Sequence, residues 1–166
     1  MKQTITKLYQ YNYWANHLIL AKAAQVTEAQ FTTPTGFSAG SLRRTLVHTL
    51  GAEYIWRSRC QLGVSPSAML QEADFPTLAS ITSRWQEEET AMLAYVESLT
   101  DDDLGQTIAY TNISGTTSYE TQLGDILHHL ALHGMQHRSE MADILTRYGQ
   151  STGDIDFIVF LRRTSS

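Results

Sequence analysis

An all-α fold is predicted for this 166-residue chain: a four-helix bundle with a small hairpin or extended insertion before the last long helix. Three observations carry the prediction. Four segments repeat apolar residues at spacings of three and four, which marks a helix with one buried face. Loop chemistry built on Gly, Pro, Ser and Thr separates those segments. No internal repeat, low-complexity tract or long linker divides residues 1–166, so the segments are expected to share one core in one domain.

The first segment, Lys2 to Ala24, carries Ile5, Leu8, Asn12, Ala15, Leu18 and Ile19 at helical spacing, with no Gly or Pro. Thr32 to Ser41 is loop chemistry ending in two candidate N-caps, Ser38 and Ser41. The second helix follows through Leu42, Leu46, Leu50, Tyr54 and Trp56 toward Cys60, until Gly63 and Pro66 break the pattern. Pro76, expected at a first helical position, announces the third, with Leu78, Ile81, Trp85, Met92, Val96 and Leu99. It should stop near Thr100-Asp101-Asp102-Asp103. Gln106 to Tyr119 is rich in Thr, Tyr and Ile around Asn112-Ile113-Ser114-Gly115, which reads as the hairpin or extended loop.

The fourth helix, about Thr121 to Tyr148, carries Leu123, Ile126, Leu127, Leu130, Met141, Ile144 and Leu145, with Gly149 where a left-handed cap is wanted. The tail from Asp154 ends in Phe157-Ile158-Val159-Phe160-Leu161, a run too short to tell a strand from a helical turn, and it should pack on the bundle. Long connections around residues 62–75 and 100–120 leave room for a non-sequential helix order.

Composition narrows the function. Twelve Lys and Arg against 17 Asp and Glu leave a net charge of −5, which opposes neutralisation of a phosphate backbone and excludes nucleic acid as the expected partner. No stretch approaches the ~20 apolar residues of a membrane span, and no apolar signal core follows Met1-Lys2-Gln3-Thr4. Cys60 is the single cysteine, so a disulfide framework or an all-thiolate metal site is ruled out and a cytoplasmic location is expected.

Six histidines occur, and His128, His129, His133 and His137 fall within ten residues on the fourth helix. His133 and His137 are an i,i+4 pair, which puts two imidazoles on one helical face about a turn apart, near enough to share an ion. The alternative is two hydrogen-bonded helix histidines. A third ligand would come from another helix. His48, in the row of Leu46, Leu50 and Trp56, is a packed core residue if it stands alone and a ligand if the pair faces it, because bundle interiors build metal sites from different helices. No Glu lies three residues before a His, so the di-iron pattern is not met and one ion is expected. His128 is half a turn out of phase with His137, His129 extends the polar stripe one turn before His133, and His17 has no partner in sequence. Gly134 should let a neighbouring helix approach. Tyr9, Tyr13, Trp14, Trp56 and Trp85 suit either core or a pocket lining, and Tyr11 with Trp14 suits a dimer seam.

Tyr11-Asn12-Tyr13-Trp14-Ala15-Asn16, then Ser41-Leu42-Arg43-Arg44-Thr45-Leu46-Val47-His48 with Glu53 and Trp56, then His129 through Arg138 with the late Gly153-Asp154-Ile155-Asp156-Phe157, together resemble the DinB family of bacterial proteins along nearly the whole chain. The resemblance implies an up-down-down-up four-helix bundle, commonly a homodimer, with a divalent metal held by His48, His133 and His137. It also implies thiol chemistry, since the superfamily includes bacillithiol and mycothiol S-transferases and a mycothiol-dependent maleylpyruvate isomerase. Many members follow the second ligand with Arg-Gly-Gln, whereas this chain has Arg138-Ser139-Glu140.

Three neutral imidazoles leave one or two coordination positions free, the pattern of a catalytic site. The expected function is therefore a metal-dependent enzyme, a thiol S-transferase or isomerase acting on a small electrophile, with a low-molecular-weight thiol as co-substrate. The alternatives are a metal-assisted hydrolase and a non-catalytic metal-binding or dimerisation domain. Zinc is the first expectation for the metal, with nickel or iron also suited to imidazole. Glu140 and Glu53 are the candidate acid/base or supporting carboxylates.

Overall fold

A computed structural model of the chain describes residues 1–37 and 40–164. The expected helical class holds. Four long helices, α1 (Lys2–Ala23), α3 (Leu42–Leu62), α4 (Leu78–Ser98) and α6 (Leu123–Arg147), are joined by the short helices α2 (Glu28–Thr32) and α5 (Asp101–Leu104) and followed by α7 (Phe157–Thr164). The strands β1 (Thr107–Thr111) and β2 (Ser118–Gln122) form an antiparallel hairpin between α5 and α6.

Each start and stop has a local cause. The Ser41 side chain accepts from the Arg44 N–H and caps α3, and the other candidate cap, Ser38, lies outside the described residues. For α4 the expectation needs correcting: Thr77 is the N-cap, in a capping box with Ser80, so Pro76 precedes the cap and does not occupy the first helical turn. α6 begins two residues later than expected because Thr121 and Gln122 are still paired with Ile108 and Thr107. It ends at Gly149, whose φ of +76° lets the Gln150 N–H turn back onto the Leu145 carbonyl at 2.8 Å. The short helices α2 and α5 carry capping boxes of their own, Thr27 with Gln30 and Thr100 with Asp103.

The long helices touch in a ring: α1 packs on α6 and α4, and α3 packs on the same two. Consecutive helices α1 and α3 therefore stand across the ring from each other. Tyr9, Tyr13, Leu46, Leu50, Trp85, Met92, Leu127 and Met141 fill its interior. That interior also holds charge. Glu88 of α4, fully buried, accepts from Arg57 of α3 at 2.5 and 3.0 Å and from Arg84 at 3.0 Å, so two guanidinium groups offset its desolvation.

α1 is buried on a second side, where Tyr11 and Ala15 lie under Phe160 of α7. This is the destination of the apolar tail: it is helical, Phe157 and Phe160 meet the Tyr11 ring edge-on at 5.2 and 6.0 Å, and Tyr11 donates to the Ile155 carbonyl at 3.0 Å. Among the described residues no helix is long and apolar enough to cross a membrane.

Candidate metal centre

His48 comes from the second turn of α3, and His133 and His137 come from successive turns of α6, across the seam where these helices pack. The four-residue spacing brings the His133 and His137 rings to 4.5 Å and their Nε2 atoms to 3.2 Å. The His48 ring lies 5.2 Å from His133 and 4.8 Å from His137. One ligand-capable nitrogen from each of the three lies within 4.8 Å of the others. Two nitrogens bound at 2.0–2.1 Å to one tetrahedral ion stand about 3.4 Å apart, close to the separation of the α6 pair.

The protonation states favour a cation. Burial, followed by the neighbouring His137, holds His48 below its ordinary pKa. Burial first, then His137, His48 and His129, lowers His133 to about 4. Neutral imidazole is the ligating form, so the rings are ready to bind without first losing a proton. His137 is set by its neighbour: the Glu140 carboxylate lies 2.7 Å from His137 Nδ1. A carboxylate there accepts, so Nδ1 is the nitrogen that carries a proton and Nε2, directed toward His133, is the one left to ligate. His133 Nδ1 is buried with no hydrogen-bond partner among the described residues. Three converging imidazoles, one held at Nδ1 by a carboxylate, are a donor set suited to one divalent ion.

The other sequence candidates fall elsewhere. Glu53 is 1% exposed and sits in the helix interior, where Oε1 accepts from Asn12 at 2.9 Å and Oε2 accepts from Tyr13 at 3.0 Å and Trp85 Nε1 at 3.2 Å. Both oxygens are engaged and enclosed, so the structure places it in a buried scaffold and not beside the imidazoles. His128 Nδ1 bonds the Gly124 carbonyl one turn back at 2.8 Å, and His17 pairs with Glu89 at 2.8 Å. His129 lies 5.9 Å from His133 and meets the edge of Trp56 at 5.7 Å, continuing the polar stripe toward the hairpin. Of the aromatic candidates, Tyr9, Tyr13 and Trp85 are core, and Trp14 lies against Phe160 of α7. Trp56 packs against Tyr110 at 4.9 Å with the Arg59 guanidinium 4.6 Å from its ring centre.

Sequence reasoning missed the platform behind the site. Arg138, adjacent to His137 and 1% exposed, donates to the side-chain oxygens of Asn12 and, at 3.1 Å, Asn16. Asn12 in turn donates to Glu53, so a continuous chain of polar contacts runs from α6 through α1 to α3. Asn12 in an otherwise apolar row was the signal available. Gly134 makes the approach possible, since a Cβ there would lie 2.8 Å from Asn12 Oδ1 and 2.9 Å from Arg138.

A family model described as the DinB family matches residues 1–165. Among curated proteins, none matches the chain.

Proposed function

The chain belongs to the DinB family, and from that premise we propose that it is a metal-dependent enzyme in which His48, His133 and His137 hold one divalent ion, zinc first, with nickel or iron as alternatives. The proposed reaction is transfer of a low-molecular-weight thiol to a small electrophile, or isomerisation of that electrophile. The scaffold we propose is the up-down-down-up four-helix bundle, working as a homodimer. The observation that carries the reading is the convergence of three imidazoles on one point with His137 fixed by Glu140.

When bound, a divalent ion supplies acidity, lowering the pKa of a water to about 7 or ionising a thiol. The chain's own residues do the rest. Glu140 Oε2 holds the His137 proton at Nδ1 and keeps Nε2 free as a ligand. Glu140 Oε1 makes no hydrogen bond among the described residues, and the side chain keeps 15% exposure, so it is placed to take up the proton that a thiol or water releases at the site. Glu53 takes no part in the chemistry. Together with Asn12, Asn16 and Arg138 it braces the α6 segment that carries His133 and His137.

The test is metal content measured by mass spectrometry on untagged protein and on His133→Ala. About one equivalent of metal per chain, lost in the variant, supports the site, and no metal after reconstitution at neutral pH removes it. Metal-loaded protein that then neither ionises a thiol nor turns over an activated ester would favour the non-catalytic alternative, in which the ion only ties α3 to α6.

A further inference from the structure

One turn before His48 on α3 stands Arg44, and the four-residue spacing puts both side chains on one face of the helix. They line a cleft of about 540 Å³ with Arg43, Val47, Met69 and Glu72. The positive charges in this cleft differ in their partners. Arg43 Nε donates to Glu72 Oε1 at 2.7 Å, which neutralises that pair and anchors the wall built by residues 69–73. Arg44 is exposed, and its guanidinium has no carboxylate or hydrogen-bond partner among the described residues. Its side chain passes beside Gly40, where a Cβ would lie 3.4 Å from Arg44 Cδ. Glu140, the carboxylate nearest the imidazoles in the bonds observed, is already bound to His137. The cleft beside His48 therefore carries one uncompensated positive charge, with the half-buried Met69 and Leu70 as its apolar lining.

We propose that this cleft is an anion subsite in which Arg44 holds the carboxylate of a small amphipathic molecule, seating its short apolar body on Met69 and Leu70 with its reacting end beside His48. The inference rests on the metal-site reading for what lies at the reacting end, and on Arg44 alone for the anion. The physical case is complementarity: a guanidinium presents paired N–H donors matched to a carboxylate. A neutral molecule of the same shape would leave Arg44 as it stands and gain only the apolar contact. The site's preference is thus for an acidic substrate over its neutral isostere.

The experiment compares 3-mercaptopropionate with its neutral isostere 3-mercaptopropionamide, titrated into cobalt-loaded protein and followed by the thiolate-to-cobalt absorption band, in the wild type and in Arg44→Gln. Wild type is expected to bind the carboxylate about tenfold more tightly than the amide, with the advantage falling as salt is raised. In Arg44→Gln the two should bind within about twofold of each other while the cobalt content stays at that of the wild type. An advantage that survives Arg44→Gln, or that is absent in the wild type, overturns the subsite. Failure to take up cobalt, or to show the band with either probe, overturns the metal reading instead. The same two probes are then followed by amide chemical shifts on the metal-free protein: changes at Arg44, His48 and Met69 with the carboxylate alone uphold the subsite, and their absence removes it.

Discussion

Glu140 lies three residues beyond His137, and its carboxylate stands 2.7 Å from the ring's Nδ1. An amide oxygen can accept the same bond, so Glu140→Gln should keep most of the metal affinity, whereas Glu140→Ala should lose about 10–100-fold, read by competition with a chelator. A common loss in both variants would show that the charge, and not the acceptor, is what matters. Glu53 acts on stability. Its burial outweighs the hydrogen bonds from Asn12, Tyr13 and Trp85 and raises its pKa above the ordinary 4.5. Above that ordinary value the unfolded chain releases a proton that the folded chain retains, so this group's contribution to stability falls as pH rises toward the folded pKa. Relative to Glu53→Gln, the wild type should lose melting temperature as pH rises above about 4.5, and a difference that stays constant with pH would contradict the shift. Cys60 presents the same physics in a thiol: burial pushes its pKa up to about 12, so folded protein should resist alkylation at about pH 8 and react only once unfolded.

At the scale of elements, α6 has two working faces. One carries His133 and His137 toward α3, and the other carries Gly134 and Arg138 toward α1. Ala is the better helix former by about 1 kcal/mol, so propensity alone would have Gly134→Ala stabilise α6. The contacts decide otherwise, since a Cβ would meet Asn12 Oδ1 at 2.8 Å and Arg138 at 2.9 Å, and Arg138 is wedged among buried partners. Overpacking of this kind costs about 1–3 kcal/mol, so Gly134→Ala should unfold at lower urea concentration and shift the environment of His133 and His137. An unchanged midpoint would mean that α1 yields freely at Asn12.

For the whole molecule, the three candidate ligands lie on α3 and α6, neighbours in the helix ring, so a bound ion would join the two. Binding to the folded state alone adds stability of about 2.7 kcal/mol when free metal is one hundred times its dissociation constant. Zinc should therefore raise the melting temperature of the wild type and leave that of His48→Ala nearly unmoved. A shift of equal size in both would place the bound metal elsewhere. The ring itself follows from chain connectivity: the long connections between the helices let α1 and α3 stand apart, and the hairpin and α7 then close the outer faces.

The periodicity of apolar residues by itself determined the four long helices, because a 3.6-residue repeat with one buried stripe has few other ways to bury it. Spacing alone set His133 beside His137, since residues four apart on a helix share a face. What was not legible depends on which helices meet. That His48 faces the pair is a property of the α3–α6 seam, and that Glu53 is locked among Asn12, Tyr13 and Trp85 is a property of α3 reaching across the ring to α1. Pro76 fell outside α4 because the hydroxyl of Thr77 competed for the cap, and the ambiguous tail became helical because Tyr11 and Ala15 offered it an apolar face. Local pattern specifies where a side chain points on its own element. Only tertiary packing decides what it meets there, because the same imidazole or carboxylate becomes a ligand, a base or a buried strut according to its neighbours.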